Sequence, residues 1–171
     1  MQELPLPIPL LLGALGLVLL LALLITFFRS STKPPYQRRE DFLSAAELNF
    51  FRALEKAVDG DFYIFPKVRI GDLLSVIEGT ENARGWFARI SQKHVDFVLA
   101  EQEKVVPVLA VELDDSSHER ADRQERDEFV DSALAAAGLP ILRVKVLQEY
   151  PVKELAAAIR ERVGVHERQT R

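Results

Sequence analysis

The sequence has no cysteine, so no disulfide framework holds the chain together, and it fits a reducing compartment. One stretch has no charge at all. From Leu4 to Phe28 every residue is uncharged, and leucine, alanine and isoleucine run among scattered Gly13, Gly16, Pro5, Pro7 and Pro9. About 20 such residues span a bilayer. The opening Met1-Gln2-Glu3 lacks the basic start of a secretory signal, and the exit Ile25-Thr26-Phe27-Phe28-Arg29 lacks a small-residue cleavage site. Residues 1–28 are therefore expected to be a transmembrane anchor that is retained. With one span and no ionisable residue in it, a transporter or channel subunit is disfavoured.

Basic residues are scarce beyond the anchor. Setting aside residues 1–40 removes Arg29, Lys33, Arg38 and Arg39 with Glu3 and Glu40, and leaves 18 basic against 24 acidic residues, a charge near −6. That balance excludes a uniformly basic surface, so a domain of this kind that grips phosphates must segregate its arginines. The four cations after the span form a basic juxtamembrane linker over residues 29–42, stiffened by Pro34-Pro35. They either set topology or lie against anionic headgroups. The positive-inside rule then predicts a single-pass inner-membrane protein with its C-terminal domain in the cytoplasm and residues 4–28 in contact with lipid.

What remains reads as one α/β domain over residues 43–163 with a flexible tail at 164–171. Ser44-Ala45-Ala46-Glu47 is a capping box, and a helix follows with Leu48, Phe51, Leu54 and Val58 on one face, stopping before Gly60. Phe62–Ile70, interrupted by Pro66, predicts an edge or bulged strand. Gly71–Glu78 reads as a short helix or turn, and Trp86-Phe87 is expected to close one end of the core. His94–Ala100 and Val105–Val111 are apolar strands joined by a polar hairpin turn. Ser116-Ser117-His118-Glu119 is a second capping box, opening a helix to Ala137 that Gly138 terminates. Pro140–Val146 is a fourth strand, and Pro151 opens a last amphipathic helix to Val163.

The strand ends carry the candidate chemistry. Glu112 and Asp114 are two apart and share a face of their strand. A hairpin centred near Lys104 sets Asp96 directly opposite Glu112, whereas one centred between Gln102 and Glu103 offsets them by roughly 10 Å. Carboxylates gathered this way need protonation, a basic partner or a hard cation. Mg2+, or Mn2+, held by Asp96, Glu112 and Asp114 is the reading with chemical use, because it would polarise a phosphodiester and acidify a bound water. Glu47 either caps its helix or leans into this site. His118 is either structural or a group that orients water or stabilises charge on a phosphate. Arg120, Arg123 and Arg126 recur at i, i+3, i+6 and either contact nucleic-acid phosphates or pair along a solvated helix face.

The segments Val95-Asp96-Phe97-Val98, Glu112 to His118, Arg126-Asp127 and Ala137 to Arg143 resemble the bacterial family called domain of unknown function 2726, over roughly residues 41–163. The order of elements is also similar to the PD-(D/E)XK nuclease superfamily. The resemblance implies a restriction-endonuclease-like αβββαβ core with a mixed central sheet, related to very-short-patch-repair-like endonucleases, and by position makes Asp96 and Glu112 metal ligands. Asp114 stands where that superfamily has lysine, so His118 or Lys145 would have to supply the positive group, and Asp115 stands where a glycine turn is expected. The function implied is a membrane-anchored, Mg-dependent nuclease-like domain; the alternative is a catalytically inactive membrane-tethered binding or scaffold domain of the same fold.

Overall fold

Residues 8–28, 33–114 and 121–169 are described by a computed structural model, without the side chains of 26–28, 121–126 and 165–169. The chain divides into two units at Glu40 and Asp41. In the first, helix α1 spans Ile8–Phe28. Its 21 residues reach about 31 Å at 1.5 Å per residue, and Ile8–Ile25 is long and apolar enough to cross a membrane.

The second unit begins with helix α2, Ala45–Val58. The Ser44 hydroxyl accepts the Glu47 N–H at 3.3 Å, and Glu47 Oε2 accepts the Ser44 N–H at 2.7 Å. Two donors that a helix start leaves orphaned are thereby satisfied. Asp59 then turns left-handed and stops the helix. The face α2 buries is Phe50, Ala53, Leu54, Ala57 and Val58, one position round from the expected stripe, and Leu48 faces outward.

Strand β1, Tyr63–Arg69, is followed by a single helical turn, α3, Ile70–Leu73, and by helix α4, Ala83–Ser91. Strands β2, His94–Ala100, and β3, Pro107–Asp114, form the hairpin. Helix α5, Ala121–Ala136, ends at Gly138, whose φ of 71° permits bonds from the Gly138 and Leu139 N–H groups back to Ala135 and Leu134. Strand β4, Ile141–Lys145, and helix α6, Val152–Gln169, complete the chain. Helix α6 runs through Gly164, so residues 164–169, read above as a flexible tail, are helical.

The sheet order is β1-β2-β3-β4, antiparallel except for the parallel pair β3/β4. It is therefore a four-stranded mixed sheet with helices on both faces. Phe97, Leu99, Leu109, Val111 and Leu142 pack with α2 and α6, while Val95, Val98 and Ala110 pack with Ile70, Ile90, Val130 and Leu134. Burial on both faces explains why β2 and β3 read as unbroken apolar runs. The run extends beyond the strand: Val105 and Val106 are exposed, Val105 is left-handed at φ 57°, and the strand itself starts at Pro107. Glu101 shapes that turn, because its carboxylate accepts the N–H groups of Glu103, Lys104 and Val106.

Trp86 and Phe87 do not close the core. Both are nearly half exposed, and Ile90 is the residue of α4 that packs inward.

Candidate functional site

Hairpin register decides whether the carboxylates meet. Phe97 pairs with Val111, Val98 with Ala110 and Leu99 with Leu109, which is the arrangement centred near residue 104. The pairing then shifts between Leu99 and Ala100, so that Ala100 faces Pro107. One step beyond Phe97, the same register sets Asp96 opposite Glu112. The backbone ladder stops there, and Asp96 Oδ2 rather than a strand carbonyl accepts the Leu113 N–H at 2.8 Å.

The row continues in both directions. Pro66 faces Phe97 and Val68 faces Val95, so Lys67 lies opposite Asp96; on the other side Glu112 pairs with Arg143 of β4. Four strands thus contribute Lys67, Asp96, Glu112 and Arg143, two carboxylates flanked by two cations. The two strands of this half of the sheet, β1 and β2, are both irregular at the row. Ile64 and Val68 should share a face of β1, yet they pack into opposite clusters, as do Phe97 and Val95 on β2. Lys67 absorbs the change on β1 with a left-handed φ of 53°.

Each cation has a defined partner. Lys67 Nζ donates to Glu47 Oε1 at 2.6 Å. Arg143 Nη1 donates to Glu112 Oε2 and Nη2 to Asp131 Oδ1, both at 2.7 Å. Burial pushes the Glu47 carboxyl up, but bonds from Lys67 and from the Ser44 backbone and hydroxyl, with the Lys67 charge, carry it below the ordinary value. The two central carboxylates go the other way. Burial raises Asp96; the Leu113 N–H draws it back, the Glu47 charge adds to the rise and Lys67 subtracts from it. Burial also raises Glu112, Arg143 opposes this, and Asp96, Asp127 and Asp131 reinforce it. Glu112 retains 18% of its side-chain exposure, and it forms part of the wall of a cavity of about 500 Å3. Arg89, Gln92, Lys93 and His94 line the same cavity, with Asp127 of α5.

Among the expected site residues, Asp96 lies within electrostatic reach of Glu47 and also of Glu112. Asp114 is exposed at the end of β3, beyond the point where pairing with β2 stops, and its backbone faces Lys145. Among the described residues no three histidine or acidic groups gather closely enough to hold a metal ion, so Asp114 does not complete a three-carboxylate cluster with Asp96 and Glu112. His118 and Arg120 lie outside the described residues; Arg123 and Arg126 fall in α5, but their side chains lie outside them too. One oxygen of Glu47 caps α2, as the capping-box reading expects, and the other accepts from Lys67.

Sequence reasoning missed Lys67, Arg143 and the cations of α4. The first two declare themselves only through cross-strand register. The third left a signal, since no acidic residue occurs from Asn82 to Val95 while Arg84, Arg89 and Lys93 do.

Comparison with curated proteins and with solved structures finds no match. Residues 39–163 match the model of the family described as protein of unknown function, DUF2726, and the chain belongs to that family.

Proposed function

We propose that this is a membrane-anchored nuclease-like protein acting on the phosphodiester backbone of nucleic acid with the help of Mg2+ or Mn2+. The observation that carries the reading is the pair Asp96 and Glu112, half-buried on neighbouring strands, with the Asp96 charge raising Glu112 and Glu112 bordering a cavity. Magnesium keeps several waters and needs only one or two protein carboxylates. The donor set therefore fits it with Asp96 and Glu112 as ligands. Such an ion supplies polarisation of the phosphoryl oxygen and a more acidic bound water.

The chain's own residues do the remaining work. Leu113 N–H fixes the Asp96 carboxylate, and Glu47 fixes Lys67 beside it, so that Lys67 stands in for the lysine that Asp114 replaces in the PD-(D/E)XK pattern. Asp114 and His118, following on from Glu112, and Arg120, Arg123 and Arg126 of the α5 region, are assigned supporting contacts to water and phosphate. The sequence of a helix, three antiparallel strands, a helix and a parallel strand supports a restriction-endonuclease-like core. The N-terminal apolar helix supports an inner-membrane anchor, and the basic flank after it supports a cytoplasmic domain.

One observation favours a second reading, a non-catalytic membrane-tethered scaffold: Arg143 already neutralises Glu112 at 2.7 Å. Calorimetric titration of Mg2+ and Mn2+ into the full chain in detergent, beside a folded Asp96→Asn, Glu112→Gln double variant, separates the two. Binding that the double variant abolishes supports the metal site. A wild type that binds neither ion overturns it and leaves the scaffold.

A further inference from the structure

We propose that the wall of the cavity formed by α4 and the residues just after it is the strand-binding side of the site, and that its ligand is single-stranded nucleic acid. The inference rests on the phosphodiester reading for the purpose of binding, but its observations are separate from the carboxylate pair.

The domain is acidic, so any surface that meets a polyanion has to concentrate its cations. Asn82–Val95 does so, carrying Arg84, Arg89 and Lys93 with no acid among them. Arg89, Lys93 and His94 reach the cavity that Glu112 also lines. The cavity is thus divided, cationic along α4 and carboxylate along β3 and α5. A phosphate would be drawn to the first wall and kept from the second, so a backbone phosphate held by Arg89 and Lys93 would lie across the cavity from Glu112 rather than against it.

Rings, not carboxylates, position these cations. The Arg89 guanidinium lies 4.0 Å from the Phe129 ring centroid and 5.0 Å from that of Trp86, and Lys93 Nζ lies 5.5 Å from Phe129. Among the described residues neither takes part in an ion pair. Cations held over aromatic faces keep their charge available while losing side-chain freedom in advance. Trp86 is 47% exposed, which leaves ring surface beside Arg89 on which an unpaired base can stack. Alternating stacking rings and backbone-binding cations is how single strands are held without regard to sequence. A duplex hides its base faces and offers Trp86 nothing to stack on. A cavity of about 500 Å3 is sized for one nucleotide unit rather than the side of a helix.

The test is fluorescence anisotropy of a fluorescein-labelled 12-nucleotide single strand with the full chain in nanodiscs of neutral lipid, in EDTA and again in Ca2+. Quenching of Trp86, the only tryptophan, is followed in parallel. Wild type should bind and be quenched. Arg89→Gln with Lys93→Gln should weaken binding by about tenfold or more and flatten the salt dependence by about 1.4 in the log–log slope, for two lost phosphate contacts. Trp86→Leu should weaken binding by roughly 5- to 150-fold while leaving the salt slope alone. A wild type that binds no strand in either buffer, a double variant with unchanged affinity and slope, or a duplex of the same sequence bound equally well would each overturn the proposal. Circular dichroism and urea midpoints show whether the variants are folded, and Mn2+ binding measured by electron paramagnetic resonance on the same samples reads the carboxylate pair separately. Metal bound without strand refutes the α4 wall alone; strand bound without metal refutes the metal reading alone.

Discussion

Asp96 does two separable things, and two substitutions divide them. Asparagine keeps an oxygen in place to accept the Leu113 N–H and deletes the charge, whereas alanine deletes both. Leaving a half-buried backbone N–H without its acceptor costs about 1–3 kcal/mol, a large share of a typical domain's stability. The charge works in the opposite direction. Burial and the neighbouring Glu47 raise the folded carboxyl above its ordinary value, so the ionised form is less favourable in the fold than in the unfolded chain. Asp96→Asn is therefore expected to be at least as stable as wild type near pH 7, and Asp96→Ala to fall about 1–3 kcal/mol below the asparagine variant. The pH dependence has a fixed sign. Between the unfolded and the raised folded values the fold binds more protons, so wild-type stability falls as pH rises through that window, and the asparagine variant lacks the fall. Its advantage should open with rising pH and close as pH drops below the unfolded value. Urea unfolding followed by Trp86 fluorescence, repeated across that range, measures both. An asparagine variant as damaged as the alanine one, or a gap that ignores pH, would refute the assignment.

Lys67 sits left-handed, a conformation costing a non-glycine residue about 1–2 kcal/mol. Lys67→Gly should therefore be more stable than Lys67→Ala by about 1 kcal/mol in urea titrations, although both lose the Glu47 ion pair; equal stabilities would show that the backbone there relaxes. Phe97, fully buried with ring centroids 5.5 Å from Phe50 and 6.1 Å from Phe51, should cost about 3–5 kcal/mol when cut to alanine, read as a lower urea midpoint. Burial pushes the Glu101 carboxyl up, but three backbone N–H groups hold it below the ordinary value. Its contribution is present above the unfolded pKa and lost as pH falls through the folded one. Protection factors at Lys104 and Val106, which are exchange rates corrected for the intrinsic pH dependence, should fall on acidification and in Glu101→Ala; unchanged protection would count against the turn's dependence on this side chain.

What the sequence disclosed and what it withheld divide along physical lines. Ser44 and Glu47 announced the start of α2 because a cap depends on residues three apart, and the valine-rich runs announced β2 and β3 because burial on both faces demands them. The need for a hairpin centred near Lys104 followed from Asp96 and Glu112, and the observed pairs meet it, with the Leu99/Ala100 irregularity taking up the difference at the turn. Lys67 was illegible. Pro66 marked the strand as edge or bulged, but the place of Lys67 in the row depends on that one residue turning left-handed and changing the face, which an alternating pattern does not show. The pairing of Arg143 with Glu112 depends on parallel register across a helix, which no local pattern encodes. Trp86 misled for a related reason: large rings usually seek the interior, and only packing reveals that Ile90 fills the place instead.

Arg143 grips carboxylates on two different elements, Glu112 of β3 and Asp131 of α5. A guanidinium with two partners can release one without being stranded, so Glu112 has an exchangeable counter-ion rather than a permanent one. Neutralising Glu112, by a proton or by a metal cation, would shift Arg143 wholly onto Asp131 and tighten its hold on α5. Occupancy at the sheet would thereby be relayed to a helix, and slower amide exchange around Asp131 in Glu112→Gln than in wild type would register that relay without any ligand present.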